Sequence, residues 1–485
     1  MQADNKGEGG IFSLYTLVKR TKYKWLLIPA IIGGSALLAD GIITPPISVS
    51  AAVEGLRVFN PELNTVPIVI GILCALFFIQ QFGTSSIGKL FGPLMMLWFI
   101  MLAGLGIYQM TGNWSVLSSI NPYYAYKLLQ IHPHGFLVLG AVFLCTTGAE
   151  ALYSDLGHCG KENIRISWIF VKATLVLNYF GQGAWLIAHE GQKLSEFKAS
   201  NPFYAIMPEG FLPYGIAIAT MAAIIASQAL ISGSFSLINE AMRLNLWPKV
   251  LVKYPSDLKG QLYIPSLNWL LLAGCIGVVL YFRESEKMTA AYGLAIVLCM
   301  IMTTILLNFY LHMKRYNVFF IYTIITMYLV IETAFLAANL SKFTHGGYIT
   351  LLIAFCLMSV MGIWFLAKKI RKRYVDLVPL ADHQQKLVDL STDESITKYA
   401  THLVYMTAAN NPEQIESKII YSILQKRPKR ADIYWFVHVD VMNEPYRMEY
   451  KVTHVAADDI IRVDFKIGFR VAPTSTYYSV RWLKI

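Results

Sequence analysis

Ten stretches of mostly apolar residues dominate this chain and leave it little choice of environment. They lie near 25–53, 65–82, 90–110, 135–155, 165–188, 212–237, 264–282, 289–313, 317–339 and 346–367. A helix of about 20 such residues crosses the hydrocarbon core of a bilayer. Only 15% of the residues are charged, against about 25% in an ordinary soluble domain. The expected fold is therefore an all-α polytopic membrane protein of about ten transmembrane helices. The first stretch is overlong and carries Pro45 and Pro46, which predicts a kink or a break there.

Lys and Arg set the expected orientation. With the N-terminus inside, the inner loops gather Lys19, Arg20, Lys22, Lys24, Arg243, Lys249, Lys253, Lys259 and the cluster Lys368, Lys369, Arg371, Lys372 and Arg373. The outer loops hold fewer, among them Arg57, Lys127 and Lys193. This bias places both termini in the cytoplasm. The net charge of +11 is then explained by cytoplasmic loops and anionic lipid, and no nucleic-acid partner is expected. Six cysteines show neither zinc-site nor disulfide-framework spacing and read as packing residues. The first ten residues, MQADNKGEGG, have no apolar core, so no cleavable signal is expected.

The domains divide by composition. Residues 1–24 form a cytoplasmic N-terminal segment, 25–368 the membrane domain, 369–384 a basic linker and 385–485 a small cytoplasmic α/β domain. In the last, 412–425 has helical spacing, while 432–441 and 461–471 alternate as strands. It carries no Gly-rich phosphate loop, metal cluster or nucleophile constellation.

Ionisable residues inside spans cost about 2.5–3.5 kcal/mol each, so those present are the first candidates for chemistry. Asp40, Thr44 and Ser48 recur at i, i+4 and i+8, which puts a carboxylate and two hydroxyls on one helix face. Gly41 and Pro45 would free carbonyl oxygens beside them. A dehydrated alkali cation takes such a set of neutral oxygens with one negative charge nearby. The bland alternative is a helix end in water, with Thr44 a simple cap. In the fourth stretch Thr147 and Glu150 would share a face, and Gly148 between them weakens the helix. Asp155 follows near the cytoplasmic end, where a solvated loop residue is the competing reading. Desolvation favours a protonated carboxyl and a nearby cation favours the ionised one, so a membrane carboxylate can exchange a proton for a cation. Asp40 and Glu150 are the candidates for that coupling. Asn178, Gln182 and two glycines within 178–186 suggest close helix packing. Tyr292 reads as an interfacial anchor, Glu332 as a buried acid without a nameable partner, and His132 and His134 as solvated loop residues. HEGQ at 189–192 is not a zinc-protease HExxH motif.

Several long strings then carry a resemblance. GEGGIFSLYTLVKR, ADGIITPPISVSAAVEGL, TTGAEALYSDLGHCGKENIRISW, NYFGQGAWL, NPFYAIMP and IASQALISGSFSLINEAMRL, in this order, resemble the KUP/HAK/KT potassium uptake permeases from about residue 2 to about residue 471. The resemblance implies a secondary transporter importing K⁺ with H⁺ (K⁺:H⁺ symport), without a cofactor, in the cell membrane. It implies an inverted-repeat helical bundle of the amino-acid-permease type, in which the first helix of each repeat is broken at the cation site. It assigns K⁺-coordinating oxygens to Thr44, Ser48, Thr147 and Tyr292, and charge and proton coupling to Asp40, Glu150 and the following acid, Asp155. The TGxEALY string ends on Tyr153. The partners implied are membrane lipid, K⁺ and H⁺; a homodimer is allowed, though no stretch of the sequence marks an interface. The family ordinarily opens with a GDIGTSPLY-type helix and a second span ahead of its ADNxGEGG string, which starts here at residue 2. Both helices, and part of the C-terminal region, are expected to be absent. A truncated non-transporting homologue or partner subunit, and an amino-acid permease of the same fold, are the alternatives.

Overall fold

The structure is a computed structural model, and it describes residues 9–19, 21, 23–82, 88–132, 135–145, 147–148, 161–197, 201–255, 262–373, 376–409, 411–442, 446–456, 459–468 and 471. The chain forms two compact units, one running up to Trp364 and the other from Phe365 onward.

The first unit is helical. Its elements are α1 (Ile11–Val18), α2 (Leu27–Val53), α3 (Val66–Ile79), α4 (Gly88–Met110), α5 (Pro122–Ile131), α6 (Gly135–Leu144), α7 (Lys161–Ala188), α8 (Pro202–Ala205), α9 (Leu212–Arg243), α10 (Pro265–Phe282), α11 (Ser285–Met313), α12 (Val318–Leu340) and the part of α13 (Gly347–Arg373) up to Trp364. Each of the ten apolar stretches contains one of these helices. Among the described residues seven helices are long and apolar enough to cross a membrane. Val66–Phe82 and Gly135–Leu144 are apolar but shorter, and α7 is long but includes Lys161, Glu162, Arg165 and Lys172.

Helix α2 is the most buried of the candidate spans. It packs against α1, α3, α9, α10 and α11. Glycines permit the closest approaches: a Cβ on Gly34 would strike the Phe12 ring of α1, and one on Gly41 would strike the Ser234 hydroxyl of α9. Helices α4 and α7 cross in the same way, with Gly181 lying on the Cα of Gly106. Beside that crossing Asn178 donates to the Leu102 carbonyl at 3.2 Å and Gln182 donates to Asn178 at 2.6 Å. The close packing expected of 178–186 is thus present, with its amides pairing between and along helices.

Of the expected kink or break, the break is corrected. The Pro45–Pro46 pair does not interrupt α2, which stays helical from Leu27 to Val53. A neighbouring helix supplies a donor to one of the two carbonyls that the prolines deprive, that of Ile42.

The second unit is α/β. Strands β1 (Leu377–Pro379) and β3 (Gln414–Glu416) pair antiparallel. Strands β2 (Lys398–Met406), β4 (Arg430–Met442), β5 (Met448–Ala456) and β6 (Ile460–Gly468) form a sheet of order β2-β4-β6-β5. β2, β4 and β6 are parallel and β5 is antiparallel to β6. Helices α14 (Ala381–Thr392) and α15 (Ser417–Leu424) contribute Leu387, Leu390, Ile420 and Ile423 to a core with Tyr434, Phe436 and Ile460. The opposite face buries Ile461, Val463, Phe465 and Ile467, the period-2 partners. The stretch expected to be helical over 412–425 is split: a turn and β3 come first, and the helix starts at Ser417. Within the stretch read as a basic linker, the helix that starts at Gly347 runs on to Arg373 and β1 starts at Leu377.

Arg462 is the largest fully buried side chain among the described residues. It donates to the carbonyls of Ala409 (2.7 Å) and Asn411 (3.0 Å) and to Asp464 Oδ1 (3.0 Å). It therefore pins the connection between β2 and β3 onto β6. Arg462→Ala would strand these acceptors, a loss of about 3 kcal/mol for a buried charge network. Hydrogen exchange on the full chain should show β4 and β6 amides losing protection in the variant while α2 amides do not change.

Candidate cation site

Asp40 lies in the interior of α2 and is 1% exposed, so the reading of a carboxylate in water at a helix end fails. The Thr44 hydroxyl, one turn on, donates to Asp40 Oδ1 at 2.6 Å. The i, i+4 spacing thus yields a real pair.

The prolines act on the same turn. An α-helical carbonyl at position i accepts from the N–H at i+4, and proline has none. Pro45 and Pro46 therefore withhold their donors from the carbonyls of Gly41 and Ile42. In α10, Cys275 is fully buried and its thiol donates to the Ile42 carbonyl at 3.3 Å. This explains how the helix continues through the pair. It also gives a partner to a cysteine that sequence reasoning treats as mere packing. The available signal was the Pro-Pro pair itself, which demands an outside donor in lipid.

Ser48 stands one turn beyond Thr44 and borders a cavity of about 360 Å³. Met95 and Trp98 of α4, Asn201, Phe203 and Tyr204, and a row of alanines on α9 complete its wall.

The second part of the expected site comes from α6 and α11. Helix α6 stops at Leu144, and Gly148 adopts φ 106°, a left-handed conformation suited to glycine. The expected weak point is therefore a real end of helix. Thr147 lies beyond it, outside any described helix. Its hydroxyl donates to the Leu144 carbonyl at 3.0 Å and accepts from the Tyr292 hydroxyl at 2.9 Å. Tyr292 is half-buried beside Phe143, Ile296 and Val297, not standing as an exposed interfacial anchor. Glu150, Tyr153 and Asp155 lie outside the described residues.

Helices α2 and α11, which carry Asp40–Thr44 and Tyr292, are also joined at their ends. Glu54, just past α2, accepts from the backbone N–H of Ser285 at 2.8 Å and from its hydroxyl at 2.5 Å. Ser285 is the first residue of α11, so a carboxylate sits at that helix's positive end. Nearby, Lys287 at 2.9 Å holds the exposed Glu284 carboxyl below the usual range. Tyr204 donates to the Ala52 carbonyl at 3.0 Å at the same end of α2. Nothing in the spacing of Glu54, Tyr204 or Ser285 marks them in the sequence.

Of the lesser signals, Glu332 proves buried in α12 and accepts from the Thr304 hydroxyl of α11 at 2.7 Å. His132 is exposed and His134 lies outside the described residues. Among the described residues no three His, Cys, Asp or Glu side chains converge on a metal position.

This helical unit matches the family model described as the K⁺ potassium transporter integral membrane domain over residues 1–369. The second unit matches the K⁺ potassium transporter C-terminal domain over residues 400–479. The chain belongs to the K⁺ potassium transporter family. Within it, a probable potassium transport system protein Kup of Flavobacterium psychrophilum is 68% identical over 472 residues, covering 97% of this chain and 72% of that protein. A protein of the same description from Clostridium perfringens is 49% identical over 483 residues, covering 97% and 73%. One from Lactococcus lactis is 47% identical over 482 residues, covering 97% and 71%. The acidic, hydroxyl-bearing strings of this K⁺ potassium transporter chain thus lie inside its family's membrane domain.

The proline–thiol arrangement is open to test. Cys275→Ala leaves the Ile42 carbonyl buried without its donor, a cost of about 1–3 kcal/mol. The detergent-purified variant should melt several degrees lower, and Cys275→Ser, which keeps a donor, should recover most of the difference.

Proposed function

We propose that this chain takes up K⁺ across the cell membrane by secondary transport coupled to H⁺, with no cofactor and with both termini in the cytoplasm. The observation that carries the reading is Asp40. It is a carboxylate held at 1% exposure inside the most buried span, with the Thr44 hydroxyl upon it. A charge in that position costs about 2.5–3.5 kcal/mol in a membrane helix, and such residues mark ion paths. The relatives named potassium transport proteins supply the ion.

In this reading K⁺ sheds water for the hydroxyl oxygens of Thr44, Ser48, Thr147 and Tyr292. Asp40 supplies the negative charge. The Tyr292–Thr147 hydrogen bond supports the assignment because it joins hydroxyls 145 residues apart in the chain at the point where α6 stops. Proton coupling falls to Asp40, Glu150 and Asp155, each able to alternate between a proton and a neighbouring cation.

The test is growth and Rb⁺ uptake at low external K⁺ in a bacterium stripped of its own K⁺ uptake. The chain should restore both, and acidifying the medium should speed uptake while a protonophore abolishes it. Asp40→Asn should cut uptake tenfold or more, each tenfold corresponding to about 1.4 kcal/mol. Thr147→Ala and Tyr292→Phe should raise the Rb⁺ KM a few-fold, in keeping with the loss of one oxygen contact worth about 1 kcal/mol. A correctly inserted chain that moves no Rb⁺ would sink the K⁺ assignment. Uptake indifferent to the protonophore would remove H⁺ coupling alone.

A further inference from the structure

The connection between α4 and α6 reads in the sequence as a plain loop, yet it is folded. Asn113 caps a 3-10 turn over Trp114–Ile120, its side chain accepting from the Ser115 N–H at 3.1 Å. Asn121 then caps α5, accepting from the Tyr123 N–H at 3.0 Å, with Pro122 at the first helical position. Both are ordinary start signals.

Not one residue of α5 is buried. Its pattern is nonetheless two-sided. Tyr123, Lys127 and Gln130 recur at i, i+4 and i+7 and form a polar face, while Ala125, Leu128 and Leu129 lie on the opposite side and form an apolar one. Leu128 is 47% and Leu129 43% exposed, so nothing in the described chain covers the apolar face. Trp114 and Ile120, at 58% and 68%, extend it into the preceding turn. From Trp114 to Ile131 the sole charge is Lys127.

Position identifies the occupant. Residues 111–113 separate Met110, the last residue of spanning helix α4, from the turn, and 132–134 separate α5 from α6. Three residues reach about 10 Å at most. The polar zone on each side of a bilayer is about 5–8 Å deep, half the difference between its full and hydrocarbon thickness. The segment is therefore held at the level of the headgroups. Tyr and Trp collect there, and helices with one apolar and one polar face lie there in the plane.

We propose that Trp114–Ile131 is an interfacial anchor, with α5 lying on the bilayer and Leu128 and Leu129 immersed at the boundary between phospholipid headgroups and acyl chains. The anchor bears on the ion site through Gly135. A Cβ there would lie 2.8 Å from the Leu128 carbonyl oxygen, so α5 is seated directly on the start of α6. The depth of α5 in the bilayer sets the depth of α6, whose far end leads to Thr147. The membrane contact itself follows from this chain's being an integral membrane protein and does not depend on which ion it carries.

The test uses the full chain in vesicles of phosphatidylethanolamine and phosphatidylglycerol. An environment-sensitive fluorescent amino acid is placed by stop-codon suppression at Leu128, at Lys127 or at Ile107. Ile107, on the spanning part of α4, reports correct insertion. Emission at 128 should be blue-shifted and quenched by lipids brominated high on the acyl chain, and barely touched by aqueous iodide. Position 127 should show the reverse. Equal iodide quenching at 127 and 128 would put α5 in water and overturn the proposal. Protection of 128 from both quenchers would overturn it in favour of a protein partner such as a second copy of the chain.

Discussion

In lipid a backbone carbonyl that loses its helical donor has no water to turn to. Pro45 and Pro46 create two such positions in α2, the helix around which the membrane unit is packed. The Ile42 carbonyl is satisfied from α10 by the Cys275 thiol. Because that donor belongs to another helix, the Ile42 carbonyl is satisfied only when α10 is in place. The same turn carries Asp40 and Thr44, so the local helix, its neighbours and the buried charge are one linked arrangement. A carboxylate buried here is held by the packing that also repairs the backbone.

The packing around α2 is set by small residues and by capping at the ends. Gly34 and Gly41 admit α1 and α9 at distances a Cβ would prevent. Glu54 ties the end of α2 to the first turn of α11, and Tyr204 occupies a carbonyl at the same end. Seven residues after Ser285 comes Tyr292, which reaches across to Thr147 where α6 gives out. The hydroxyl–carboxylate pair on α2 and the hydroxyl–hydroxyl pair between α11 and α6 therefore rest on helices that are joined to each other directly. This is the setting an ion path of neutral oxygens with a single charge needs.

The second unit obeys the rules of water-soluble α/β structure. Alternating residues of β4 and β6 build two apolar faces, and a single buried arginine organises the loop that leads out of β2. Its guanidinium fits that task because it offers several donors in one fixed plane. The strands were legible from their alternation. The interruption of 412–425 by β3 was not, since pairing with β1, more than 30 residues earlier, overrides local helical spacing.

The sequence by itself determined the membrane environment, the ten helical segments, the hydroxyl spacing from Asp40 and the weak point at Gly148. These are local properties: apolar length, a 3.6-residue period and the conformational freedom of glycine. Only the tertiary structure decided that α2 passes unbroken through two prolines, that Tyr292 turns inward to Thr147, and that Cys275 and Glu54 join helices rather than fill space. It alone decided that the loop after α4 holds a two-faced helix that none of the described residues covers. The reason is physical: a donor for Ile42 lies 233 residues away and a partner for Glu54 lies 231 away. No periodicity within one helix records a hydrogen bond that exists only when two distant helices meet.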